Sequence, residues 1–362
     1  MPADIRFEDR GHTGLITLTR GHALNALTHR MILDLGAALD RWEQDPAIAH
    51  VVIRSDDERA FSAGGDIRHL YDSGLAAKRG EGEKPTGFFA DEYSLNIRIK
   101  RFPKPYIALI DGIVMGGGVG VSVNGSHRVA GRNIRFAMPE VGIGFFPDVG
   151  ATWFLPRLPG ETGTWLALTG AQMGQADCCW SGIATHSADG DRFDALIDAL
   201  AASADAETVL QAFAVAPEGL PTAAAHRSEI AGFFAGDDLI AIGERLAGAG
   251  GSGWPEAERA AKAFARMSPT SLSIALRQMR FGAGRDFAAC MKMEYRIVSR
   301  VLDGDDFYEG IRAQIIDKDR KPVWTPARLA EVDSSDIDRY FAPLDAAPEL
   351  VTNDIGGMHH HS

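Results

Sequence analysis

Phe61-Ser62-Ala63-Gly64-Gly65-Asp66 and Met115-Gly116-Gly117-Gly118-Val119-Gly120 are the stretches that decide how this chain reads. Each glycine cluster follows an apolar run of strand character, residues 50–53 for the first and 106–110 for the second. Each also opens what reads as a helix. Glycine leaves its backbone N–H uncovered by any Cβ, and the first N–H groups of a helix have no acceptor within it. Two such turns aimed at one point make an oxyanion hole, which stabilises charge developing on a carbonyl oxygen. Gly65 and Gly117 are the candidate donors. One glycine turn alone would be explained by tight packing; two, each joining an apolar strand to a helix, favour chemistry. The triplet Gly116-Gly117-Gly118 does not fit the G-x-G-x-x-G dinucleotide fingerprint. A P-loop and a G-x-S-x-G nucleophile elbow are absent from the sequence.

Two acids stand behind these turns, in Met138-Pro139-Glu140 and Phe146-Pro147-Asp148. A lone carboxylate beside Pro or Gly reads as a turn or cap residue. A pair in different environments can instead divide acid and base roles. The neighbours Phe136, Ile143, Phe145 and Phe146 are apolar, so both carboxyls should be desolvated and perturbed.

Outward from these motifs, residues 14–19 read as a strand. Asn25 and Thr28 can start a helix with Met31, Leu35, Ala38, Leu39 and Trp42 on its apolar face, stopped by Asp45-Pro46. Strand and helix alternate in this way to about residue 189, which predicts an α/β fold with a parallel or mixed, covered sheet. Residues 75–87 read as a mobile loop over the site. A helix over 88–102 carries Glu92, and a strand over 134–138 precedes Glu140. From residue 191 the pattern is helical, over 193–201, 206–214, 222–234, 238–247 and 256–267. A further helix is capped by Ser268-Pro269-Thr270, and the last runs over 286–302. The expected division is a core over 1–190 holding the site, a helical region over 191–345 covering it, and a disordered tail over 346–362. The run His359-His360-His361 reads as a harmless part of that tail.

With 362 residues, 45% hydrophobic and 24% charged, the composition is that of an ordinary globular protein with a large core. A formal charge of −12 argues against nucleic acid or an anionic membrane as partner. The most apolar run, residues 106–123, is interrupted by Asp111 and glycines and is not a membrane span. Cys178, Cys179 and Cys290 form no disulfide framework and suggest a reducing compartment. The start Met1-Pro2-Ala3-Asp4 lacks the basic, apolar character of a targeting segment, so a cytoplasmic location is expected. No group of His, Cys, Asp and Glu has metal-ligand spacing, and no metal is expected.

The order of motifs resembles one family. Residues 23–27 (Ala-Leu-Asn-Ala-Leu), 62–67 (Ser-Ala-Gly-Gly-Asp-Ile) and 112–118 (Gly-Ile-Val-Met-Gly-Gly-Gly) are similar to the crotonase (enoyl-CoA hydratase/isomerase) superfamily. Phe136-Ala137-Met138-Pro139-Glu140 and the 144–150 stretch Gly-Phe-Phe-Pro-Asp-Val-Gly resemble its 3-hydroxyisobutyryl-CoA hydrolase branch. So do Met293-Glu294-Tyr295-Arg296 and residues 306–319, and the likeness is weakest over 190–265. Hydratases of the superfamily carry a first catalytic glutamate two residues after the glycine triplet, where this chain has Gly120. Glu140 matches their second glutamate, and Asp148 matches an aspartate of the hydrolase branch.

The resemblance implies a crotonase-like (ClpP/crotonase) spiral of βαβ units with a helical C-terminal region. It implies an acyl-CoA thioester held between Gly65 and Gly117. Glu140 would attack the carbonyl or activate water, and Asp148 would position water or substrate or pass a proton to the leaving group. Glu92 would meet the acyl 3-hydroxyl. Ala23 and Leu24 would line the adenine side of the coenzyme A groove and Ile67 the pantetheine side. Arg20, His22, Lys318 and Lys321 are candidate phosphate contacts, each read first as solvated surface charge. The implied activity is hydrolysis of 3-hydroxyisobutyryl-CoA in valine breakdown, with no cofactor, coenzyme A being part of the substrate and product. A hydratase or isomerase reaction and non-catalytic acyl-CoA binding are the alternatives. The superfamily often forms trimers, but the long C-terminal extension of this branch could fill that surface, which leaves a homo-oligomer and a monomer both open.

Overall fold

The computed structural model describes residues 3–345 and 348–352. Two sheets organise the N-terminal half. The larger is built from β1 (Ile5–Arg10), β2 (Thr13–Leu18), β3 (His50–Ser55), β5 (Tyr106–Ile110), β7 (His127–Ala130) and β9 (His186–Ser187). They stand in the order β1-β2-β3-β5-β7-β9, and only the β1–β2 hairpin is antiparallel. The smaller sheet is parallel and contains β4 (Ala60–Ser62), β6 (Ile113–Met115) and β8 (Arg135–Ala137). Each circuit of the chain therefore lays one strand in the large sheet and the next in the small one: β3 then β4, β5 then β6, β7 then β8. That repetition is the spiral expected from the family resemblance. Both faces of the central strands are covered, and β2 and β5 are buried along their whole length, as parallel strands between helical layers must be.

The small sheet corrects the sequence reading at the decisive place. The strands that lead directly into the glycine turns are β4 and β6, not the runs at 50–53 and 106–110, which lie one strand earlier in the larger sheet. The strand expected over 134–138 is the shorter β8. At three residues each, β4, β6 and β8 show no alternation from which to read them.

Helix α1 (His29–Gln44) buries Met31, Ile32, Leu35, Ala38, Leu39 and Trp42, and its Met31 N–H donates to the Thr28 cap hydroxyl at 3.2 Å. The segment read as a loop over 75–87 is helical at both ends, where α2 (Ile67–Lys78) runs into it and α3 (Thr86–Lys100) begins inside it, and non-helical over 79–85. α2 is capped by Asp66, whose side chain accepts from the His69 N–H. The helix expected over 222–234 is broken at His226 into Thr222–Ala225 and Arg227–Phe234. Part of the tail expected to be disordered is packed: Leu350 is buried, Glu349 pairs with Arg296 at 2.9 Å, and Arg101 donates to the Thr352 carbonyl. The His359–His361 run lies outside the described residues. Among the described residues no helix is long and apolar enough to cross a membrane.

Candidate active site

The two glycine turns face each other. Leu27 pairs with Gly65 in an isolated parallel bridge, its N–H donating to the Gly64 carbonyl while its own carbonyl accepts from Asp66. That pairing uses the groups on either side of Gly65 and leaves the Gly65 N–H without a backbone acceptor among the described residues. Gly117 is the first residue of α4 (Gly117–Gly120), so its N–H has none either. A Cβ built on Gly117 would lie 3.4 Å from the Gly65 nitrogen, and one on Gly64 would lie 3.7 Å from the Gly117 nitrogen. Gly64 and Gly116 both have positive φ, 116° and 49°, which brings the turns this close.

Both turns open on a cavity of about 370 Å³. Glu92, Glu140, Asp148 and Ile67 line it with both glycines, and most of the rest of its wall is apolar, with Phe88, Phe89 and Phe145 prominent. Met267 and Gln314 of the C-terminal half also reach it. Glu140 begins the single-turn helix Glu140–Ile143 directly after β8. Its Oε1 lies 3.6 Å from where a Cβ on Gly116 would stand, and its Oε2 has no partner among the described residues. Asp148 ends the proline turn that follows, and its Oδ2 accepts from the Tyr93 hydroxyl at 2.9 Å. Glu92 comes in on α3. A Cβ on Gly117 would lie 2.5 Å from its Oε1, an oxygen that has no hydrogen-bond partner among the described residues. The plain expectation for such a helix glutamate is an exposed side chain, yet Glu92 is 2% exposed.

Burial dominates the electrostatics. Desolvation raises the Glu140 pKa well above its ordinary value, and the charge of Asp148 raises it further. Asp148 is pushed up to about 7 by burial, with the Tyr93 hydroxyl pulling the other way. Burial also raises Glu92 well above the usual range, reinforced by Asp148 and Glu294. Asp148 is thereby poised to exchange a proton near neutrality, and Glu92 and Glu140 hold theirs above the usual carboxylate range.

Other expected contacts fall elsewhere. Ala23 ends the turn Gly21–Ala23, and Leu24 is its left-handed cap. Both lie outside the cavity wall, tied to it through the Ala63 N–H, which donates to the Leu24 carbonyl at 2.9 Å. Arg20, expected to meet phosphate, is paired with Asp66 at 2.8 Å. Gly120, where a hydratase glutamate would stand, faces packed atoms: a Cβ there would meet Asn96 Nδ2 at 2.8 Å and Val149 Cβ at 2.9 Å. The sequence reading missed Tyr93, Gln278 and the role of Glu294. Glu294 accepts the N–H groups of Gly150 and Thr152, each at 2.9 Å, and Gln278 Nε2 donates to the Pro147 carbonyl at 3.0 Å. A polar side chain amid apolar helix positions was the available signal, and it named no partner.

Comparison with known proteins agrees with this geometry. A family model described as enoyl-CoA hydratase/isomerase matches residues 13–341. A protein of Gallus gallus named 3-hydroxyisobutyryl-CoA hydrolase, mitochondrial, is 41% identical over 352 residues, covering 94% of this chain and 89% of its own. Among solved structures, a carnitinyl-CoA dehydratase from Mycobacterium thermoresistibile superposes with TM-score 0.89 at 39% identity, covering 97% of this chain and 99% of its own. An enoyl-CoA hydratase from Rhodobacter sphaeroides 2.4.1 does so with TM-score 0.87 at 39% identity, covering 94% and 98%. The matched span takes in the glycine turns, the three cavity acids and the helices behind them, and this chain belongs to the enoyl-CoA hydratase/isomerase family, the crotonases.

Proposed function

We propose that this chain hydrolyses a short-chain 3-hydroxyacyl-CoA thioester, 3-hydroxyisobutyryl-CoA first among them, in the valine breakdown that the resemblance implies. The observation that carries the reading is the pairing of the Gly65 and Gly117 N–H groups over a cavity holding Glu140 and Asp148. The thioester oxygen accepts from both glycines, and loss of one such donor costs about 3 kcal/mol of barrier. Glu140, once ionised, attacks the carbonyl carbon or takes a proton from the water that does. The C–S bond then breaks, and the departing thiolate takes a proton from Asp148 or from water; where Glu140 itself attacked, water next opens the resulting anhydride, releasing the acid and restoring the Glu140 carboxylate. Glu92, buried and with an unpartnered oxygen beside Gly117, recognises the acyl 3-hydroxyl; an analogue lacking it leaves that group unpaired. Coenzyme A enters as part of the substrate, and the reading calls on no other cofactor. The name of the chicken relative places that protein in mitochondria and lends no support to a cytoplasmic location here. Self-association remains part of the proposal, to be checked by light scattering.

The hydratase names of the two solved structures supply the competing reaction. The packing of Asn96 and Val149 against Gly120 opposes the two-glutamate route to it. Free-thiol release from 3-hydroxyisobutyryl-CoA tests the choice. Release by the wild type that falls by about 10²-fold or more in Glu140→Ala supports hydrolysis. Consumption of methacrylyl-CoA without any thiol release sinks it.

A further inference from the structure

The corner that carries Asp148 is held on every side. Val149 has φ of 52°, a left-handed conformation costly for a β-branched residue, and Gly150 follows at 98°. Five bonds fix this strained segment. Gln278 donates to the Pro147 carbonyl, Tyr93 to the Asp148 carboxylate, and Asn124 to the Val149 carbonyl at 3.0 Å. The Gly150 and Thr152 N–H groups both donate to Glu294. Glu294 sits on the helix Phe287–Val301, far along the chain from the site, and is fully buried. A buried glutamate is expensive to keep when an apolar residue would fill the space. Among the described residues it forms no ion pair with arginine or lysine, and its partners are the Gly150 and Thr152 N–H groups and the Thr152 side chain, all on the Asp148 corner.

We propose that Glu294 is a positioning residue for Asp148: by holding the Gly150 and Thr152 N–H groups it keeps the left-handed Val149–Gly150 corner that turns the Asp148 carboxyl toward Tyr93 and the cavity. The proposal rests on the hydrolase reading only for its effect on rate. Glu294 is also an electrostatic neighbour of that carboxyl. The titratable groups gathered here are Glu92 and Tyr93 from α3, Glu140 from the turn after β8, Asp148 itself, and Cys290 one turn before Glu294. Burial and the Asp148 charge push Glu294 up to about 8, while its bonds to the corner pull it back.

The test is a cycle of Glu294→Gln, Asp148→Asn and the double variant. In Glu294→Gln an amide N–H₂ replaces one acceptor and faces a backbone N–H, so one of the two bonds is lost. The expected result is a kcat lower by roughly 10²-fold, with KM changed less than about threefold. In the Asp148→Asn background the second substitution should add less than a further threefold, because Glu294 acts through Asp148. Losses that multiply in full overturn the proposal. A crystal structure of Glu294→Gln decides the matter even for an enzyme that releases no thiol. The 2.9 Å bond between Tyr93 and Asp148 should lengthen past about 3.5 Å; an unmoved corner overturns the proposal whatever the reaction is. If Glu294→Gln does not fold, Glu294→Asp keeps the charge on a side chain one methylene shorter, and the same distance is read.

Discussion

Glu140 faces a cavity that Phe145, Ile143 and Met115 also line, and Asp148 stands in the same wall, so the Glu140 carboxyl ionises against both burial and a neighbouring charge. Desolvation first and that neighbouring charge second raise its pKa above the ordinary 4.5. The ionised form is the nucleophile or base, so kcat/KM should climb with pH along a limb well above the usual carboxylate range. Because the two acids interact, that limb belongs to the pair. Asp148→Asn removes the second of the two causes. The limb should then move to lower pH, as a pH–rate profile of residual thiol release will show; a limb that stays or rises contradicts the coupling. A second residue-scale prediction concerns the oxyanion donor. In Gly117→Ala the new Cβ would stand 2.5 Å from Glu92 Oε1, so either the turn or the glutamate must move. We expect kcat to fall about 10²- to 10³-fold with the circular-dichroism spectrum unchanged. Near-normal turnover would remove Gly117 from the oxyanion hole.

At the scale of elements, the single-turn helix carrying Glu140 is braced by the helix Asp306–Ile311. A Cβ on Gly144, at φ of 70°, would lie 2.1 Å from the Asp306 carbonyl oxygen, and one on Gly310 would lie 2.3 Å from Ile143. Backbone meets backbone here, so neither side chain nor rotamer can yield. Gly144→Ala should lose about 3 kcal/mol of stability, read as a lower denaturant midpoint, and should lower kcat because the Glu140 turn is displaced. A midpoint within experimental error of the wild type would refute this bracing. The same elements show what the sequence could tell. α1 was legible because one apolar stripe recurs at helical spacing from Met31 to Trp42. The glycine turns and Glu140 were legible because their residue types are chemically unusual in that order. The small sheet was not, since strands of three residues have no period. The burial of Glu92 was hidden for another reason: α3 is covered on nearly every face, so its sequence shows no solvent side against which an inward acid would stand out. Glu294 illustrates the remaining gap, because its partners lie on a turn that only the folded chain brings near.

Over the whole molecule, the site imposes a pH dependence on folding. Glu92, Glu140, Asp148 and Glu294 are all buried with pKa values raised by desolvation, Asp148 to about 7 and Glu294 to about 8. In the unfolded chain such groups titrate near 4. The native protein therefore holds protons between these limits that the unfolded chain has released. The associated stability is fully present below the unfolded pKa and is lost as pH rises through the folded values. Two opposing effects act on the acid side. His50, buried and hydrogen-bonded to Thr13, titrates at about 4 instead of 6.5, so stability is lost as pH falls through that interval. Asp57, Glu309 and Asp319 are lowered by their arginine partners and act in the same direction at still lower pH. Between about pH 4 and 6.5 the four acids outweigh the single His50, so stability is greatest near pH 4 and falls along a descending limb above it. The thermal midpoint should fall by on the order of 5 °C between pH 6 and pH 9, and calorimetric scans across that range will measure it. Asp148→Asn should flatten the limb, having removed both a titrating group and the charge that raises Glu92, Glu140 and Glu294. A midpoint that rises with pH over this window, or an unchanged slope in the variant, would mean that the four acids are ionised in the folded protein at neutrality. The proton-poised site described here would then have to be given up.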